Sequence, residues 1–114
     1  MPSRTYELFA EAMAARKPVV CMYQGHPRAL CPIILGHTDK AEKALTWQFE
    51  GEGSKGPVHG QWKCLMLAEV ADAEMIEGPC RSGRRHSQPQ SCVRQVDLDV
   101  NPDSPYEPRR RLLR

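Results

Sequence analysis

Between Arg4 and Lys17 the apolar residues Leu8, Phe9, Ala12 and Met13 recur at the three- and four-residue spacing of one helix face. Glu7, Glu11 and Arg16 fall largely opposite, so the pattern predicts an amphipathic helix over 4–17. Ser3 stands where a hydroxyl can accept from a backbone N–H of the first turn. Pro18 holds Lys17 in extended geometry, which ends the helix. Beyond Pro18 the period shortens. Val19 to Gln24 reads as a strand, Gly25-His26-Pro27 as a turn, and Ala29 to Leu35 as a second strand closed by Gly36. Pro32 inside that strand implies a sheet edge or a bulge, because proline has no N–H for the ladder.

His37 to Glu42 reads as a polar turn. Ala44 to Glu50 then alternates, with Leu45, Trp47 and Phe49 on one face and Thr46, Gln48 and Glu50 on the other. The glycine-rich stretch 51–60 predicts a long hairpin loop. Gln61 to Val70 forms a fourth strand and Ala73 to Glu77 a short fifth. Residues 78–95 carry turn and basic residues without a period, and predict a basic loop. Val96 to Val100 predicts an edge strand. Pro102, Pro105 and Pro108 mark 101–114 as an extended basic tail.

The expected fold is therefore mainly β. An N-terminal helix packs on a small, bent antiparallel barrel of about five or six strands, spanning 19–77 within a single domain over 1–100. The chain's 114 residues fit one domain and one core. Its longest apolar runs fall far short of the roughly 20 residues that cross a bilayer. Arg4, Glu7 and Glu11 interrupt the stretch where a signal peptide needs continuous apolar residues, so the expected location is cytoplasmic.

A net charge of only +2 does not mark a nucleic-acid binder, but its distribution is uneven. Arg81, Arg84 and Arg85 lie in an acid-free segment and form, with Trp62, a candidate interaction surface. The five cysteines, Cys21, Cys31, Cys64, Cys80 and Cys92, form no CxxC pair and are odd in number. In a reducing compartment this predicts free thiols, several of them packed as small hydrophobes. Cys21 and Cys31 flank the first turn with His26 at its tip. That is poor geometry for a tetrahedral zinc knuckle, so neither metal nor cofactor is expected. Cys64 with His59 is the one conceivable thiol–base pair. No acid is obviously poised to orient that histidine, so enzyme activity is not expected.

Tyr23 and Arg28 carry the most suggestive chemistry. Across a four-residue turn they become cross-strand neighbours sharing a face. Arginine supplies a planar fork for carboxylate or phosphate and tyrosine a stacking surface. Gln48 and Lys63 on adjoining strands complete a set suited to an anionic or nucleotide-like ligand, or a short single-stranded nucleic acid. The competing role is structural, with Arg28 stacked on Tyr23 and paired with Glu50 or Glu69.

The order of these residues resembles the WYL domain of bacterial transcriptional regulators. Tyr23, Arg28 and Pro32 follow that family's strand-turn-strand, Trp47-Gln48-Phe49 its Trp-Tyr-Leu strand, and Lys63, Leu65, Leu67, Glu69 and Val70 its later strand. The resemblance covers roughly residues 8–77. It implies an Sm-like, SH3-type barrel that senses a ligand or a single strand and acts with a separate partner regulator or as a homo-oligomer. Gln48 replaces the family's tyrosine, Lys63 an arginine, and Glu69 a basic residue, which weakens the positive character of the face. With no preceding helix-turn-helix, a stand-alone relative is expected. The alternative is a dimerisation or docking module without a ligand.

Overall fold

The computed structural model describes residues 2–53, 56–58, 60–80 and 90–100, with the backbone of 110–111. Helix α1 runs over Arg4–Ala15. The strands are β1 (Val19–Tyr23), β2 (His26–Thr38), β3 (Ala41–Gly53), β4 (Gly56–Pro57), β5 (Gln61–Met66), β6 (Val70–Met75), β7 (Gln95–Asp99) and β8 (Arg110–Arg111). They form a curled sheet, antiparallel except at β8, that closes into a half-barrel with α1 packed on it. The expected helix-on-bent-sheet architecture is what the chain adopts.

The helix begins as its sequence implies. The Ser3 hydroxyl accepts from the Tyr6 N–H at 3.1 Å, and the same residue bonds to Glu42 near the start of β3. Its end comes earlier than Pro18 requires. Arg16 adopts a left-handed conformation (φ 58°), and Lys17 N–H returns to the Ala12 carbonyl at 3.0 Å. Phe9, Ala12 and Met13 are buried against the sheet.

Turns explain the other departures. The first hairpin closes on two residues, Gln24 and Gly25, both with positive φ, so Tyr23 pairs with His26. This is the tight turn whose twist suits adjacent strands. The second hairpin uses Asp39 and Lys40 in the same way. β2 is central: it pairs with β3 along its length, with β1 over its first half and with β7 over its second. Pro32 is accommodated there by a register shift between Pro32 and Ile34, the bulge alternative rather than the edge. Gly36 permits the approach of β7, since a Cβ at that position would collide with the Gln95 carbonyl.

The strand expected to end at Val70 breaks instead into β5 and a 3-10 turn over Leu67–Glu69, and β6 begins at Val70. β7 pairs with β2 on one side, and on the other only its end, Leu98 and Asp99, is covered, by Arg110–Arg111 in parallel. Part of the expected tail is thus a strand, while 101–109 and 112–114 lie outside the described residues. The glycine-rich loop folds back on itself: β4 pairs with the end of β3, and Val58 N–H donates to the Gly51 carbonyl at 2.9 Å.

Two clusters fill the interior. One joins Phe9, Ala12 and Met13 of the helix to Leu30, Leu35, Ala44, Leu65 and Leu98. The other joins Cys31, Ile33, Ile34 and Leu45 to Cys92, Val93 and Val96. Among the described residues no helix is long and apolar enough to cross a membrane.

Candidate functional site

The cysteines depart most from expectation. Cys31 is bonded to Cys80 and Cys64 to Cys92, each pair with Cα atoms 5.6 Å apart, and Cys21 is the free thiol. Linear spacing concealed both pairs. The bonds tie Cys80 to β2 and Cys92 to β5, joining residues 49 and 28 positions apart. Nor is Cys64 packed in the core; it is exposed, while Cys92 is buried. Cys64 is therefore not available as a free nucleophile in this state. His59, its suggested base, lies outside the described residues, as do Arg81, Arg84 and Arg85.

Cys21 pairs across the hairpin with Arg28. Burial pushes its thiol up to about 11, and the nearby Arg28 charge only partly offsets that. At neutral pH it is a protonated core residue rather than a nucleophile. His26 faces no cysteine pair suited to zinc, and no cluster of three or more metal-binding side chains occurs among the described residues.

Tyr23, Arg28 and Gln48 come together, by a route different from the one expected. The two-residue turn places Arg28 opposite Cys21, so Tyr23 and Arg28 are diagonal neighbours. The guanidinium nevertheless lies over the Tyr23 ring, 5.0 Å from its centroid. Its Nη1 donates to Gln48 Oε1 at 3.2 Å. The Gln48 amide nitrogen donates to the carbonyls of Glu50 and Glu52 at 3.3 and 3.2 Å, which turns its oxygen toward the arginine. Tyr23 is fixed in turn: its hydroxyl accepts from Met66 N–H at 3.1 Å and donates to Glu69 at 3.4 Å.

Burial sets the character of this group. Arg28 is 6% exposed and Gln48 is fully buried. Glu69 engages the tyrosine rather than the arginine, and Glu50 offers its backbone rather than its carboxylate. Among the described residues no carboxylate pairs with Arg28, and its Nε has no hydrogen-bond partner. Burying a cation without a counter-charge is costly, because it removes the hydration of the charge. Nη1 donates to Gln48, while Nε is buried without a hydrogen-bond partner among the described residues.

Lys63 lies on the same face. Strand β5 pairs Lys63 with Thr46 and Gln61 with Gln48, and Lys63 shares that face with the core residue Leu65 two positions on. Its ammonium sits beside Gly53, in the hairpin that borders Arg28, rather than against the guanidinium. Lys63 is partly exposed and contributes charge at the rim. Trp62 points to the other face, where it meets Trp47 edge to face at 5.1 Å and packs, half-buried, on the second cluster.

Sequence reasoning missed a second polar group. Tyr6 donates to Asp97 at 2.7 Å, and His37 Nδ1 approaches the same oxygen at 3.0 Å. The three residues lie far apart in sequence, and only the pairing of β7 with β2 unites them. Together with the Ser3–Glu42 contacts they clamp α1 to the sheet.

No protein-family model matches this chain, and no curated protein or solved structure is significantly similar to it.

Proposed function

We propose that the chain is a non-enzymatic sensor module, similar to a WYL domain in bacterial transcription regulation, that takes a small anionic or nucleotide-like ligand at Arg28 and reports to a separate partner. One observation carries this reading: a buried guanidinium, aligned by Tyr23 and Gln48, whose Nε and charge are unanswered by the described residues. A phosphate or carboxylate at that edge would supply both the hydrogen-bond acceptor and the counter-charge. Tyr23 and Gln48 hold the fork in place, and Lys63 draws anions toward it. A short single-stranded nucleic acid offers the same phosphate chemistry. The half-buried state of Trp62 gives the docking alternative less support.

A cytoplasmic location is part of the proposal. The two disulfides pull against a permanently reducing setting, so thiol trapping at cell lysis tests the placement.

The decisive experiment measures affinity and stability on the same variants, using a panel of nucleotides and short oligonucleotides. Arg28→Ala is expected to lose about 1.5–3 kcal/mol of binding, the range for hydrogen bonds to charged groups. Arg28→Lys is expected to restore little, because a point charge does not replace a fork. A lowered melting temperature with unchanged affinity would make Arg28 a structural residue and end the reading.

A further inference from the structure

The two disulfides are chemically unequal, and we infer that Cys64–Cys92 is a site of exchange with small thiols while Cys31–Cys80 is a permanent staple. Attack on a disulfide requires a thiolate to reach one sulfur in line with the bond. Cys64 is exposed on β5, whereas Cys31 is fully buried among Ile33, Ile34 and Leu45, and its partner Cys80 is half-buried. Cys64 is the most exposed of the four bonded cysteines, so the first bond is the more accessible to a thiolate.

The leaving side is prepared as well. Cys92 Sγ lies 3.5 Å from the Ala44 carbonyl, which can accept from the thiol once the bond is open. The segment around Cys92 does not depend on the bond for its position. Thr38 donates its hydroxyl to the Cys92 carbonyl at 2.8 Å and accepts from Arg94 N–H at 3.0 Å. Gln90 grips Val93 reciprocally, donating to its carbonyl at 2.7 Å and accepting from its N–H at 2.8 Å. Val93 is fully buried, and Gly36 and His37 pair with Val96 and Gln95 just beyond. Opening Cys64–Cys92 therefore leaves the strand seated.

The step balances without an added oxidant. A small thiol RSH, reacting as its thiolate, forms a new S–S bond to Cys64. The Cys64–Cys92 bond breaks, its electron pair leaves on Cys92 Sγ, and that sulfur takes up the proton given up by RSH. The products are a Cys64 mixed disulfide and a buried Cys92 thiol. The modified sulfur stands on the same strand as Lys63 and Trp62.

Oxidised full-length protein treated with graded glutathione, quenched with acid and mapped by peptide mass spectrometry tests the inference. Glutathione is expected on Cys64 with Cys92 as a thiol and Cys31–Cys80 intact. The first bond should open more than about tenfold faster than the second, as exposure governs the rate. The thermal transition of the adduct should remain cooperative. Cys64→Ser should acquire no adduct while keeping Cys31–Cys80. Simultaneous opening of both bonds, earlier opening of Cys31–Cys80, an adduct on Cys92, or no reaction before unfolding would each overturn it.

Discussion

The two faces of the sheet are closed by different physics. On one face an amphipathic helix supplies Phe9, Ala12 and Met13 to a core of Leu30, Leu35, Ala44 and Leu65. On the other, Cys92, Val93 and Val96 pack on Ile33, Ile34 and Leu45 and are held by the disulfides and by the Thr38 and Gln90 hydrogen bonds. A regular element contributes a continuous apolar stripe and holds itself by packing. Cys92 and Val93 lie outside any strand, and side-chain partners answer their N–H and C=O groups where a ladder would otherwise do so. Residue pattern describes the first kind of closure and is nearly silent on the second.

The contrast can be broken from either side. Phe9→Ala removes the largest wholly buried side chain of the helix and is expected to cost about 3–5 kcal/mol. Urea unfolding would measure this, and a loss below 1 kcal/mol, on the order of an Ile→Val change, would mean that α1 is a passive cover. On the other face, replacing both Cys31 and Cys80 by alanine is expected to cost about 2–4 kcal/mol, the usual contribution of a disulfide. A drop in the guanidinium midpoint is the readout, and a midpoint equal to wild type would assign that closure to the hydrogen bonds alone.

The smallest effect lies in the helix-covered core and depends on pH. The Cys21 thiol is held up to about 11 from its ordinary 9.0. Between those values the folded protein keeps a proton that the unfolded chain releases, so stability falls as pH rises, by up to about 1.4 kcal/mol per pH unit. Below pH 9 the thiol is protonated in both states and contributes no slope. Denaturation curves from pH 8 to 11 for wild type and Cys21→Ala isolate this contribution, and parallel curves would refute it.

The same division explains what was legible beforehand. The helical stripe from Leu8 to Met13, the alternation of Leu45, Trp47 and Phe49, and the break at Pro18 announce a helix on a bent sheet, because each is a local periodicity. Strand ends were misplaced where a turn used non-glycine residues at positive φ, as at Asp39–Lys40. Residue types that favour ordinary backbone angles do not advertise such turns. Within the site, counting along strands groups Tyr23, Arg28 and Gln48, and Arg28 does meet both of the others. Their burial is not readable from the pattern: Gln48 is an interior amide held by the Glu50 and Glu52 carbonyls and turned toward Arg28. The disulfides and the Tyr6–Asp97–His37 group depend on contacts between distant segments that no window of sequence contains.

The long strand β2 also has a consequence for the order in which the molecule assembles. Its pairings with β1 and β3 close through turns of two residues each, Gln24–Gly25 and Asp39–Lys40, so they require little loop-closure entropy. Its pairing with β7 joins His37 to Gln95 and must wait for the chain between them. Local pairs form faster than distant ones. The three-stranded meander is therefore expected to form before β7 docks, and within it β2 has half of one side unfilled. On that order, oxidation of the two cysteine pairs follows strand pairing and records a register that the backbone sets.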